Sequence, residues 1–396
     1  MTLPRGRRRA IFAVGAACAA AGAGALLAGW WLRSPPSPGR TLAHGTSSAA
    51  ASGVAAARPA SELGTGLIAF ESERGAEREI YLVRPDGSGL ERITSPPGQS
   101  YPGPPSPDRR RLLAVSAEED AGRAHQERLA LLEPGPAGWT SRPLGDPSGR
   151  LRNPAWLPDR SGVVLESDAS GFVAIELLRL DGRPAERLTT EPSGSFEPAV
   201  RPDGGAIAFV SSADGNPEIY RLELGTRQLS RLTWSPGEDG SPVWAPDGAQ
   251  LAYLSQRHGA FRAYLMGADG SHPRPLLGAH DPTDGPEGRF LAHAELAFSP
   301  DGSRVALVEQ REGRAVVQIV RVADGEVLNA GAGRWHDQTP SWSPDGRHLV
   351  FASDRNGNLD LFVAEADGLD PRQLTHCPGA CWLPRWLEAP RATSAD

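Results

Sequence analysis

The stretch that decides the fold is "PSWSPDGRHLVFASDRNGNLDLFVAEADG", residues 340–368. It holds two Asp-Gly pairs and a run, Asp354-x-Asn356-x-Asn358-x-Asp360, that imitates a calcium loop. Between the Asp-Gly pairs lie two short apolar segments, "HLVFAS" and "LDLFVAE", each of strand length. Asp-Gly is a preferred pair for a tight hairpin turn, because such turns need positive φ. The first question is therefore whether the acidic residues form a site or a piece of architecture.

The rest of the chain answers by repetition. Pro-Asp pairs recur at 107–108, 158–159, 202–203, 246–247, 300–301 and 344–345. Two residues before each proline stands Pro105, Trp156, Val200, Trp244, Phe298 or Trp342. After each pair comes a short apolar segment such as "GVVLES" or "AIAFVS", then a polar loop, a second segment, an Asp-Gly turn and a stretch ending like "RLT". A period of roughly 40–50 residues marks a propeller or solenoid. Four short strands per unit in hairpin order make one propeller blade.

The ends complete the count. Residues 66–94 read as a unit lacking its first strand, and 383–390, "LPRWLEAP", as a first strand with Trp386 in the aromatic slot. Joined, they form a seventh blade, so the expected fold is an all-β, seven-bladed β-propeller of four-stranded antiparallel blades over 66–390, closed by N- and C-terminal strands. Closure removes exposed sheet edges that template aggregation. Asp-Gly recurs at 86–87, 181–182, 203–204, 247–248, 269–270, 301–302 and 324–325 as well. A catalytic carboxylate has no reason to appear in every blade, so these pairs read as turns. The 354–360 loop lacks the flanking helices of an EF-hand and reads as a polar hairpin loop, with a calcium site as the alternative.

Composition narrows the function. Gly (46) and Pro (37) favour turns over long helices. Every basic residue is arginine; without lysine there is neither Schiff-base chemistry nor a Walker A loop. Arg5, Arg7, Arg8, Arg9, Arg33 and Arg40 precede the first acid, Glu62, so the remainder is more acidic than the net charge of −7 shows. Such a body repels nucleic acid, and no nucleic-acid partner is expected.

The N-terminus reads as an address. Residues 1–9 form a basic cytoplasmic tail, and 10–32 an uncharged apolar segment ending at Trp30-Trp31. That segment is long enough to cross a hydrocarbon core of about 30 Å. It reads as a transmembrane signal anchor, with a cleaved signal or a lipoprotein site at Cys18 as alternatives. Residues 33–65, rich in Pro, Ala and Ser, read as a disordered tether, and 391–396 as a tail. The expected location is the inner membrane, single-pass, with the propeller on the periplasmic or extracytoplasmic side.

The unit PxWSPDGxxLxFxSxRxGxxDIYxxxxDGxxxxRLT resembles the WD40-like PD40 repeat of the TolB-like propellers and of prolyl-oligopeptidase relatives. The resemblance covers 66–390, with its best copies beginning at Pro242 and Pro340. It implies the propeller fold and a binding role in the cell envelope. TolB itself looks six-bladed behind an α/β domain, whereas this chain shows seven units behind a tether. The hydrolase relatives carry a catalytic domain, and this sequence holds no G-x-S-x-G elbow.

Two long stretches, 116–128 and 278–295, fall on the face that carries the loops after second strands and between blades. Long loops in a compact repeat point to function. Residues just before the first strands should ring the channel mouth there: Arg152, Glu197, Asp239, His293, Glu295, Trp335, His336 and Asp337. Their mixed charge and aromatic surface suits an envelope protein or peptide, and no catalytic residue is assigned. His293, His336 and His376 precede three successive first strands and are the metal-ligand candidates, a pattern similar to the metal-dependent pectate-fragment lyases. Cys377 and Cys381 in "HCPGAC" are read as a disulfide, with free thiols or metal binding as alternatives. The leading expectation is a membrane-tethered, non-catalytic, cofactor-free scaffold. The alternative is a metal-dependent polysaccharide lyase or hydrolase using the histidines; a calcium or transition-metal ion would be its cofactor.

Overall fold

The second strand of each unit is the most apolar, and the reason is that it is covered on both faces. The "GVVLES", "AIAFVS" and "HLVFAS" segments are buried at every residue. A computed structural model describes residues 66–388 apart from 75–76, 96–98, 119–125, 147–148, 278–294, 312 and 330–333. The expected basic tail (1–9), membrane anchor (10–32), tether (33–65) and C-terminal tail (391–396) lie outside the described residues, as do His293 and most of both long loops. Among the described residues no helix is long and apolar enough to cross a membrane.

The strands form seven four-stranded antiparallel sheets. Blade 1 joins β28 (Cys381–Glu388) to β1 (Gly66–Ser72), β2 (Glu79–Val83) and β3 (Glu91–Arg92). Blade 2 holds β4 (Gln99–Pro105), β5 (Leu112–Glu118), β6 (Gln126–Gly135) and β7 (Gly138–Leu144). Blade 3 holds β8 (Leu151–Trp156), β9 (Gly162–Ser167), β10 (Ala174–Arg179) and β11 (Glu186–Arg187). Blade 4 holds β12 (Ser195–Val200), β13 (Ala206–Ser211), β14 (Glu218–Glu223) and β15 (Leu229–Arg231). Blade 5 holds β16 (Asp239–Trp244), β17 (Gln250–Ser255), β18 (Arg262–Gly267) and β19 (Arg274–Pro275). Blade 6 holds β20 (Leu296–Phe298), β21 (Arg304–Arg311), β22 (Arg314–Arg321) and β23 (Val327–Asn329). Blade 7 holds β24 (Asp337–Trp342), β25 (His348–Ser353), β26 (Asp360–Glu365) and β27 (Arg372–Gln373).

The core shows that the blades close a ring. Alternate residues of one strand face opposite neighbours, as the period of two requires. Ile68 and Phe70 of blade 1 pack on Val350 and Leu361 of blade 7, whereas Ala69 packs on Leu112 and Leu132 of blade 2. Further clusters join blades 2 and 3, 3 and 4, 4 and 5, 5 and 6, and 6 and 7. Seven interfaces in cyclic order make a propeller. Each first strand also touches the first strands of both neighbouring blades, which places those strands innermost.

The aromatic slot clamps this inner ring. The Trp156 indole N–H donates to Pro104 O (3.1 Å), Trp244 to Ala199 O (3.1 Å) and Trp342 to Ala297 O (3.0 Å). Each acceptor lies on the inner strand of the preceding blade. First strands also carry a bulge, with Asn153, Glu197, Ser241, Thr339 and Leu383 at positive φ. Bulges re-aim side chains at the rim of a closed sheet.

The Asp-Gly pairs are turns, but not the two-residue turns expected from the sequence. Gly204 N–H donates to Arg201 O, so Pro202 and Asp203 are the central residues of a type I turn. Only the glycine, at φ 74°, takes the left-handed region, and Gly248 and Gly346 do the same at 70° and 68°. The aspartate accepts the N–H two residues on, as Asp203 does from Gly205 at 2.9 Å. Hydrogen bonds from Arg201 and Gly205 hold Asp203 below the usual carboxylate range.

The calcium-like run is also architectural. Asn358 Nδ2 donates to the carbonyls of Cys377 and Gly379, and Asn216 of blade 4 makes the same bracket to Ser235 O (3.0 Å) and Gly237 O (2.6 Å). Asp360 accepts from Thr375 Oγ1 (3.1 Å) and Cys377 N (2.7 Å). Asp354 accepts the N–H of His336 (2.8 Å), and Asn356 reaches Gln373 (2.6 Å). The four side chains turn toward different partners instead of a common centre.

Candidate functional site

Blades 1 to 4 carry a connected set of charged residues near the inner ring: Glu71 and Glu166 come from second strands, Arg152 and Glu197 from first strands and Glu127 from a third strand. Glu71, Val115, Glu166, Val210, Leu254, Val308 and Ala352 occupy one register column, each opposite the first or second residues of its third strand or their structural equivalent. Five members are aliphatic and two are buried glutamates. Burying a carboxylate is unfavourable unless it is paired or protonated, so these two are exceptions to the packing rule that built the column.

Glu71 lies opposite Trp382 of β28, whose indole hydrogen-bonds it, with Arg78 at 3.6 Å. Burial pushes its carboxyl up to about 8, against the opposing pull of Arg78 and Trp382. The Arg78 guanidinium stacks 4.9 Å from the Trp382 ring centre and bonds Glu73 at 2.7 Å. On blade 2, Tyr101 is hydrogen-bonded to Glu127 and feels the charge of Glu71; burial is the main reason its phenol is raised. Glu127 in turn pairs with Arg152 Nε on blade 3.

Glu166 continues the relay. It accepts from Asn153 Nδ2 (2.6 Å) and from the Glu197 N–H of blade 4 (2.7 Å), although burial still raises its carboxyl. Glu197 then accepts the Ser241 N–H of blade 5 at 2.6 Å. The carboxylates thus satisfy N–H groups that the bulges release, and they tie adjacent inner strands together. Farther round, Glu295, just before β20, reaches Arg385 of β28 at 3.7 Å, two blades away across the ring. Burial raises the Glu295 carboxyl against that attraction.

The sequence-predicted ring residues divide accordingly. Arg152 and Glu197 belong to the relay, and Glu295 to the second pair. Asp239 and Asp337 do not join them. Each faces an arginine from the next loop of its own blade, Arg257 at 3.6 Å and Arg355 at 3.0 Å. Those arginines lie over Tyr264 (4.2 Å) and Phe362 (4.7 Å), so the arrangement is a repeated brace. Trp335 is 39% exposed beside β24. His336 Nδ1 accepts the Ala315 N–H at 3.3 Å, and His376 Nδ1 lies 3.1 Å from Gln373 Nε2. Among the described residues no three His, Cys, Asp or Glu converge as metal ligands. Cys377 and Cys381 are joined, with Cα atoms 6.1 Å apart. Cys377 lies on the connection from β27 and Cys381 opens β28, so the bond closes that connection and does not cross-link β28 to β1.

Glu71, Tyr101, Glu127, Asn153, Glu166 and Trp382 were missed by sequence reasoning. The two glutamates had a readable signal, as acids in an otherwise aliphatic column of the repeat. Tyr101, Asn153 and Trp382 had none, because inner-strand bulges set their positions. A surface depression of about 490 Å³, lined by Asp247, Gln250, Met266, His272 and Arg274, lies on blade 5 and shares no residue with this relay.

The description "TolB beta propeller domain" matches residues 140–294 and 287–389, more than half of the chain. The chain belongs to the TolB β-propeller domain family. Among curated proteins, this TolB-type propeller is 31% identical over 96 residues to the uncharacterized peptidase YuxL of Bacillus subtilis (strain 168), covering 22% of this chain and 15% of that protein. The match therefore spans a small part of the relative's own length. Among solved structures, TolB from Acinetobacter baumannii superposes with a TM-score of 0.52 at 22% identity, over 81% of this chain and 82% of that one. Puromycin hydrolase gives 0.60 at 18% identity, over 80% of this chain and 52% of that one. These likenesses establish the fold.

Proposed function

We propose that this TolB-type propeller is a membrane-tethered, extracytoplasmic scaffold that binds a protein or peptide segment of the cell envelope and performs no catalysis. One observation carries the reading. Two glutamates replace aliphatic residues in the register column: Glu71 stands opposite Trp382 with its charge felt at Tyr101, and Glu166 stands opposite Arg152. Packing alone favours another valine or leucine at both places. Glu71 and Glu166 are themselves buried, and the partly exposed Tyr101, Arg152 and Trp382 around them offer hydrogen bonds and stacking faces to a polypeptide segment. The membrane tether rests on residues 10–32 and the envelope location on the same address.

The metal-dependent lyase or hydrolase reading needs His293, His336 and His376 to meet. His336 and His376 are each engaged by their own surroundings, which favours the scaffold.

The test is site-specific photocrosslinking in cells, with the photoreactive residue at Trp335, at Arg152 or, as a control, at the exposed Leu229 on the outer strand of blade 4. The scaffold reading expects one envelope protein crosslinked from the inner-ring positions and not from Leu229. Absence of any such adduct, together with turnover of an oligosaccharide by the purified chain, would replace the scaffold with the enzyme.

A further inference from the structure

The outer strands of the propeller are short, with one exception. β3, β11, β19 and β27 have two residues each, and β15 and β23 have three. β7 has seven, "GWTSRPL", paired to β6 along its whole length from Leu129↔Leu144 to Gly135↔Gly138. Short edge strands are a standard protection against unwanted pairing. Blade 2 lacks that protection. Among the described residues no strand pairs with the far side of β7.

The edge is firmly held. Trp139 packs against the interface between blades 1 and 2, Leu144 is buried, and Thr140 Oγ1 donates to Glu133 O at 3.2 Å. Thr140, Ser141, Arg142 and Pro143 are exposed. Proline has no N–H to offer, so strand pairing is confined to Gly138–Arg142. Arg142 is the one charge on the strand, and no ion pair engages it among the described residues.

We propose that β7 is a β-augmentation site, on which an extended peptide segment adds as a fifth strand of blade 2 with an acidic side chain beside Arg142. Main-chain hydrogen bonds supply affinity in this mode, and flanking side chains supply selectivity. Charge complementarity to the unpaired Arg142 fixes the acidic preference. A second copy of the chain is the weaker occupant: an edge of this length buries far less than the roughly 1,200 Å² of a stable dimer. This surface is separate from the inner ring, and its test stands apart from that of the scaffold reading.

The experiment selects binders from a phage-displayed random heptapeptide library on the intact protein. Affinities of the selected peptides are then measured by fluorescence anisotropy. Enriched peptides are expected to carry Asp or Glu at one fixed position and to slow amide exchange at Thr140–Arg142. Arg142→Glu should weaken them by about two- to fivefold, the size of an exposed ion pair, and selection on that variant should enrich Arg or Lys instead. Ser141→Pro should abolish binding, while Arg183→Ala, at an exposed arginine of blade 3, should leave it unchanged. Arg142→Glu, an exposed charge swap, keeps the test valid if Ser141→Pro disturbs the blade. Selected peptides indifferent to both β7 variants, or no enriched peptide at all, would overturn the proposal. So would a concentration-dependent dimer lost on Ser141→Pro, which assigns the edge to a second copy.

Discussion

The indole N–H of Trp386 donates to the carbonyl oxygen of Ser341, 45 residues earlier, at 3.1 Å. The same bond joins Trp342 to Ala297 and Trp244 to Ala199, always from one inner strand to that of the preceding blade. At Trp386 the bond crosses into the blade where the two ends of the propeller sequence meet. There the β1–β28 ladder, from Gly66↔Glu388 to Ser72↔Cys381, holds the ring shut without a covalent link. Trp386 is fully buried in the core between blades 7 and 1.

Trp386→Phe removes the bond and leaves the Ser341 carbonyl without its donor, while most of the ring volume remains. The expected destabilisation is about 1–2 kcal/mol. Trp386→Ala should lose about 3–5 kcal/mol. Urea unfolding followed by fluorescence of the other tryptophans measures both. A Phe variant as stable as the parent would show that the clamp contributes nothing to closure.

Glu71 makes stability depend on pH in a stated direction. Its carboxyl is raised from 4.5 to about 8 by burial. Below the unfolded value both states hold the proton, and the folded ring has its full stability. As pH rises from about 4.5 to about 8, the unfolded chain releases the proton and the folded chain does not, so stability falls; above that it levels off. The loss is on the order of a few kcal/mol. Glu71→Gln should therefore stabilise the protein at pH 8, match it near pH 4, and flatten the profile between. Parallel profiles for the two proteins would refute the burial argument.

Asn358 separates the two readings of the 354–360 run. Asn358→Ala leaves the Cys377 and Gly379 carbonyls without their donor and should destabilise by about 1–3 kcal/mol. Millimolar calcium should leave the parent's melting temperature unchanged. A calcium-dependent rise that disappears in Asn358→Ala would restore the ligand reading.

The sequence carried the blade count because the repeat is local. Pro-Asp-Gly turns, buried second strands and the tryptophan slot each act within one unit or its neighbour. Joining residues 66–94 to 383–390 needed only the recognition that each supplies what the other lacks. The turn type was misjudged because one glycine at positive φ suits both a two-residue turn and a type I turn closed by glycine; Asp203 and Gly204 show the second. The site was half legible. Arg152 and Glu197 were expected just before first strands and lie inside β8 and β12, whereas Asp239 and Asp337, expected in the same place, open β16 and β24 and turn to braces in their own blades.

By itself, then, the sequence determined which residues pair within a blade and how many blades there are, since turns and strand patterns are short-range. Only the tertiary structure decided what meets across blades. The relay from Glu71 through Glu127 and Arg152 to Glu166 and Glu197 is built from four blades, and the lone long edge of β7 stands out only beside six short ones. The physical reason is that ring closure and inner-strand bulges orient these side chains, and neither is encoded in any one repeat.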